Sequence, residues 1–169
     1  MSLQMRFGLA AGLLLLALNG CHKSAGIQVG DASPEVVFQN FKGHEVHIPR
    51  DFKGKTLLLR FWSIDCHFCD KGMLKGLETL FQKYRQIGFI PVAINEGPIN
   101  PDDERLNTLR STLSYPILFE PYGLAAKQLG LVALPVTLII DQEGIVRDKI
   151  SGEAALSEYE QRLNIILKN

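Results

Sequence analysis

The stretch Lys55–Trp62, KTLLLRFW, constrains the fold of this chain more than any other. Its apolar residues run on without the alternation of a half-exposed strand, so it suits a central strand covered on both faces. A second such run, Gly88–Asn95 (GFIPVAIN), follows downstream. Between them Met73, Leu74, Leu77, Leu80, Phe81 and Tyr84 recur at helical spacing, which predicts a helix over Cys66–Gln86. Strands that are apolar all round need layers on both sides, and the rest of the chain has to supply them.

It does so by alternating strand and helix patterns. Glu35–Asn40 and His44–Pro49 flank Phe41-Lys42-Gly43 and read as a β-hairpin. NPDDERLNTLRSTLS opens with a capping residue and acids in its first turn, so it reads as a helix. YPILFE is a short strand, and GLAAKQLG a short helix ended by Gly130. PVTLIIDQEGIVRDKIS makes two strands around a turn at Glu143-Gly144. A final helix carries Leu156, Tyr159, Leu163, Ile166 and Leu167 on one side. The order β-β-β-α-β-α-β-α-β-β-α implies an α/β sheet with helices on both faces and an antiparallel hairpin at one edge.

The N-terminal apolar run does not belong to that core. Phe7–Leu18 follows Arg6 and spans twelve residues, short of the ~20 needed to cross a bilayer and suited to a signal-peptide core. It ends in Leu18-Asn19-Gly20-Cys21, which resembles a bacterial lipobox. That resemblance implies cleavage before Cys21, lipid on its thiol, and export to a compartment that permits disulfides. The division expected is a lipoprotein-type signal peptide over 1–20, a short polar tether over 21–33 and a folded domain over 34–169. Removing residues 1–20 takes Arg6 and no acid, so 17 basic residues face 18 acids in the mature chain. With no basic stripe, nothing points to nucleic acid.

Cys66 and Cys69 then remain as an isolated pair in WSIDCHFCDK. They fall where the buried strand gives way to the predicted helix. Unpaired N–H groups at a helix start favour a thiolate at Cys66. A zinc site needs two further ligands, and His44 and His47 in HEVH, three apart along a strand, point to opposite faces. A purely structural disulfide over so short a span constrains the unfolded chain little. The placement therefore favours redox chemistry.

KGKTLLLRFWSIDCHFCDKGM resembles the strand–active-site–helix signature of the TlpA/ResA-like thioredoxin family. VGDASPEVVFQNFKGHEVHIPRDFKGK is similar to that family's N-terminal extension, and LVALPVTLIIDQEGIV to its segment with a cis-proline facing the cysteines. The resemblance implies a thioredoxin-like fold, with a central mixed sheet flanked by helices and an N-terminal hairpin extension. It implies a thiol–disulfide oxidoreductase on the periplasmic side of the cell envelope, held to a membrane by lipid. Cys66 would attack, Cys69 would resolve, and Pro135 would hold the chain beside Cys66. It implies no cofactor beyond the Cys66–Cys69 disulfide, no bound metal, protein substrates with cysteines such as apocytochrome c, a membrane electron donor of the thiol–disulfide relay type, and a monomer.

Five nearby side chains are candidate modulators. Asp65 precedes Cys66, and its carboxylate opposes a thiolate there. Arg60, in the buried strand, needs a partner, for which Asp65 or Glu96 is the candidate. Some members of the family this chain resembles carry a glutamate just after the next strand that helps proton transfer at the second cysteine, and the resemblance makes Glu96 or Glu104 the candidate for that role. His67, between the cysteines, stabilises a thiolate when protonated. An oxidant or isomerase would run the same exchange in reverse, and no residue in the sequence separates it from a reductase. Two further functions fit the Cys pair less well. A copper chaperone of the Sco-like type has CxxxC rather than CxxC, and a peroxiredoxin has Thr and Pro ahead of its cysteine, where WSIDC has neither.

Overall fold

The computed structural model describes residues 26–98, 100 and 102–168. The signal-peptide stretch and Cys21 lie outside the described residues. Seven strands and four α-helices follow in the expected order: β1 (Val36–Gln39), β2 (Glu45–Ile48), β3 (Thr56–Trp62), α1 (Gly72–Tyr84), β4 (Phe89–Glu96), α2 (Glu104–Thr112), β5 (Ile117–Glu120), α3 (Leu124–Leu129), β6 (Val136–Ile140), β7 (Val146–Ser151) and α4 (Leu156–Leu167). They form one mixed sheet in the order β2-β1-β5-β4-β3-β6-β7. β3, β4 and β5 run parallel, and β6 is antiparallel to β3. The hairpin β1–β2 extends the β5 edge.

β3 is buried at every position, as its composition requires. Its side chains divide by parity between two cores. Leu58 and Trp62 pack with Leu74 and Leu77 of α1, Leu106 of α2, and Tyr159 and Leu163 of α4. Leu57, Leu59 and Phe61 pack on the other face with Ala125 and Leu129 of α3 and with Phe38 and Ile48 of the hairpin. Among the described residues no helix is long and apolar enough to cross a membrane.

Two expectations need correction. The helix predicted over Cys66–Gln86 begins only at Gly72. In a continuous helix the Asp70 amide would bond to the Cys66 carbonyl. Here the Asp70 amide donates to Glu153 Oε1 at 2.6 Å, and the Cys66 carbonyl accepts Lys71 Nζ instead. Asp70 Oδ1 then takes the Gly72 amide at 2.7 Å, and the helix starts there. The second correction concerns residues 26–33, expected as part of the tether. They lie on the domain. Ile27 is buried and bonds through its amide to Leu129 O, the Gly30 amide bonds to Val146 O, and Ala32 pairs with Ile145. Gly26 has φ +103°, and a Cβ there would meet Gly130 O at 2.8 Å. Burial of one apolar side chain and a ladder of backbone bonds hold a stretch whose composition looks solvated.

Candidate active site

β3 delivers the chain to the site. After Trp62, a turn closes with the Cys66 amide on Ser63 O at 3.1 Å, and Ser63 Oγ accepts the Asp65 amide at 3.2 Å. Asn95, buried at the end of β4 and in register with Trp62, accepts the Ile64 amide on Oδ1 at 2.7 Å. A buried amide side chain from the neighbouring strand thus fixes the turn that presents Cys66. Cys66 and Cys69 are joined in a disulfide with their Cα atoms 5.4 Å apart. Cys66 is half-buried and Cys69 is 4% exposed. Between them His67 is exposed, its ring edge-on to Phe68 at 5.8 Å, and Phe68 is 81% exposed.

Pro135 arrives at the same end of the sheet. Phe61 pairs with Val136, so Pro135 falls one step beyond, level with Trp62, where β3 leaves for the cysteines. The Leu134–Pro135 bond is cis, as the resemblance implied, and Pro135 O accepts the Gly152 amide at 2.8 Å. A second cis bond, Ile48–Pro49, lies in the hairpin and nothing in the sequence reading pointed to it.

Arg60 has neither of its expected partners. It faces α1 and α4, fully buried, and its Nη2 donates to Glu153 Oε1 at 2.5 Å. Its Nη1 donates to the Tyr159 hydroxyl at 3.0 Å, and that hydroxyl lies 3.2 Å from Thr137 Oγ1. A buried guanidinium takes an acid that can share its pocket, and side-chain parity aims Arg60 at α4 rather than at the exposed Asp65.

Asp65 instead pairs with Arg105 of α2, Nη2 to Oδ1 at 2.9 Å. Arg105 also holds Asp103, whose carboxyl is drawn down to about 2, chiefly by the guanidinium's hydrogen bonds.

Glu96 is directed to neither cysteine by any bond. Its neighbour is Glu120, level with it on β5. Burial first, and the Glu120 charge second, raise the Glu96 carboxyl above its ordinary range. Glu96 Oε1 and Glu120 Oε2 are both buried without a protein partner. Glu96 shares a sheet face with Ile94 and the α3 core, whereas Cys69 packs in the core of α1 and α4. Glu104 opens α2 and is exposed.

Sequence reasoning missed Glu153, Tyr159 and Arg105 as parts of the site. The only signal was the buried Arg60 itself, which required an anion somewhere. Among the described residues no group of three or more His, Cys, Asp or Glu side chains gathers in the manner of a metal site.

The sequence profile of the AhpC/TSA family matches residues 29–149. The chain is 29% identical to the thioredoxin-like protein YneN of Bacillus subtilis over 167 residues, covering 92% of this chain and 96% of that one. It is 27% identical to the thiol-disulfide oxidoreductase ResA of Geobacillus kaustophilus, covering 98% and 99%. Among solved structures, a thiol:disulfide interchange protein from Chlorobium tepidum, assigned as DsbE, superposes with a TM-score of 0.72 at 23% identity, over 83% of this chain and 99% of that one. The peroxidoxin BcpB of Mycobacterium tuberculosis superposes at 0.67 and 19% identity, over 84% and 97%. The thioredoxin-like fold is thus common to exchangers and peroxidases, and the chemistry has to be read from the site.

Proposed function

We propose, from the premise that this chain belongs to the AhpC/TSA family and is a thioredoxin-fold thiol–disulfide oxidoreductase, that it works outside the cytoplasm as a lipid-anchored reductase of protein disulfides. The observation that carries the reading is the asymmetric pair at the sheet end, with Cys66 half-buried and Cys69 nearly closed to solvent. In the reduced enzyme the accessible Cys66 thiolate attacks a substrate disulfide and releases one substrate thiolate. Cys69 then attacks Cys66 Sγ, closes the intramolecular disulfide and releases the second. Pro135, beside the end of β3, offers backbone that an extended substrate segment can pair with. Exported proteins whose cysteines must be reduced before use, such as apocytochromes c, are the substrate class. A membrane thiol–disulfide relay returns the electrons.

Two measurements test this. Equilibration of the couple against a dithiol buffer should give a potential near that of thioredoxin, about −270 mV, and far from the about −120 mV of a dedicated oxidant. A value at the oxidising end would reverse the direction proposed. In the full-length chain, Cys69→Ser should trap partners on Cys66, whereas Cys66→Ser should trap none. Capture through Cys69 would exchange the roles of the two sulfurs.

A further inference from the structure

Reduction of a substrate by this pair leaves a proton to be placed. Cys69 enters the resolving step as a thiol and must lose its proton as its sulfur attacks. At 4% exposure it has little access to water. A carboxylate from the loop before α4 reaches the backbone beside Cys69: Glu153 Oε1 accepts the Asp70 amide at 2.6 Å, one peptide bond from Cys69. That same oxygen is gripped by the buried Arg60, which Tyr159 and Thr137 hold in turn. The Glu153 side chain is 30% exposed, so it touches both the base of the site and solvent.

We propose that Glu153 is the proton acceptor for Cys69 in the resolving step, with Arg60 and Tyr159 as the residues that position it. This rests on Cys69 being the resolving cysteine. In the step, the Cys69 S–H proton passes to the Glu153 carboxylate, directly or across one water. The Cys69 sulfur bonds to Cys66 Sγ as the Cys66–substrate S–S bond breaks. The electron pair leaves with the substrate thiolate, and Glu153 returns its proton to solvent. The cysteine pair is oxidised by two electrons and the substrate disulfide is reduced by two. The charged and titratable groups gathered there are Arg60 from β3, Tyr159 from α4, Asp70 and Lys71 ahead of α1, His67 between the cysteines, and the two thiols.

The step can be isolated with 5,5′-dithiobis(2-nitrobenzoate) and the reduced full chain in stopped flow. Attack by Cys66 releases one thionitrobenzoate, and attack by Cys69 on the resulting mixed disulfide releases a second. In Glu153→Gln the amide oxygen can still accept the Asp70 amide, but the base is gone. The rate of the second phase relative to the first should fall at least about tenfold, since general bases contribute typically about 10²–10⁴-fold. With no base in place, the second phase should rise about tenfold per pH unit below the thiol range, whereas wild type should be nearly flat across neutral pH. The pair Arg60→Met/Glu153→Leu removes both charges together and supplies the same reading if Glu153→Gln does not fold. A ratio within about twofold of wild type in a folded variant, or an unchanged pH profile, overturns the role of Glu153. A single equivalent released by wild type would instead overturn Cys69 as the resolving group, a failure of the underlying reaction rather than of the proton acceptor.

Discussion

The Arg60–Glu153 pair makes an asymmetric demand on stability that can be measured directly. Arg60 is 0% exposed and Glu153 is 30% exposed. Deleting the acid by Glu153→Leu strands a guanidinium that water cannot reach, with Tyr159 as its remaining partner, and should cost about 3–5 kcal/mol. Deleting the base by Arg60→Met leaves a carboxylate that can turn to solvent while a flexible apolar side chain fills the space. The loss is then that of its charged hydrogen bonds, about 1–2 kcal/mol. Removing both leaves no buried charge, and the double variant should lie within about 1 kcal/mol of wild type. The two single changes together therefore overshoot the double by at least about 3 kcal/mol. The assay is urea unfolding of the oxidised protein by linear extrapolation, with m unchanged across the four proteins. Single changes that sum to the double within about 0.5 kcal/mol would show the two side chains to be uncoupled. A Glu153→Leu variant no less stable than Arg60→Met would show that water does reach Arg60.

Three further outcomes follow from the site. Arg105→Leu frees the Asp65 carboxylate beside Cys66 and should raise the Cys66 pKa, while Asp65→Asn should lower it and make the disulfide more oxidising; thiolate absorbance against pH reads both, and an unmoved titration in the two variants would mean that Asp65 does not act on Cys66. Glu96 has its folded-state pKa raised, so the folded chain holds that proton more tightly and loses stability as pH climbs from the ordinary carboxylate range through the raised value. Glu96→Gln should then melt above wild type at neutral pH and equal it in acid, and melts that coincide at neutral pH would contradict this. Mass spectrometry of the protein from its native membrane should find lipid on Cys21 as the first residue; a retained Met1–Gly20 or a free Cys21 thiol would refute the anchor.

The fold was legible because each element announces itself locally. β3 shows in its nearly continuous apolar run, α1 in the spacing of Leu74, Leu77 and Leu80, and α2 in the Asp103 cap whose Oδ1 takes the Arg105 amide. The cysteine pair and Pro135 were legible through motifs. What escaped the sequence depends on contacts between distant residues. The start of α1 is set by Glu153, 83 residues from Asp70. The partner of Arg60 lies 93 residues away, on the loop before α4, and parity along β3 says which face Arg60 takes but not which acid waits there. The Asp65–Arg105 pair spans 40 residues and depends on how α2 is laid against the turn. Residues 26–33 were misjudged because a single buried isoleucine among polar neighbours carries too weak a pattern to mark an ordered segment.

With the anchor proposed on Cys21, that docked segment would also limit how far the enzyme can stray. With Gly26 pressed against the end of α3 and Ile27 buried, only the five residues up to Gly26 would separate the domain from a lipid on Cys21. Fully stretched they reach about 17 Å. A domain of this size has a radius of gyration of about 14 Å, so an anchored molecule has no room to swing away from the bilayer or to roll over freely. Under the proposed anchoring its range would be a thin shell above the lipid headgroups, with the end of α3 turned toward them. Substrates and electron donors that meet Cys66 would have to do so within that shell, which favours clients that are themselves at the membrane surface over those that diffuse past it.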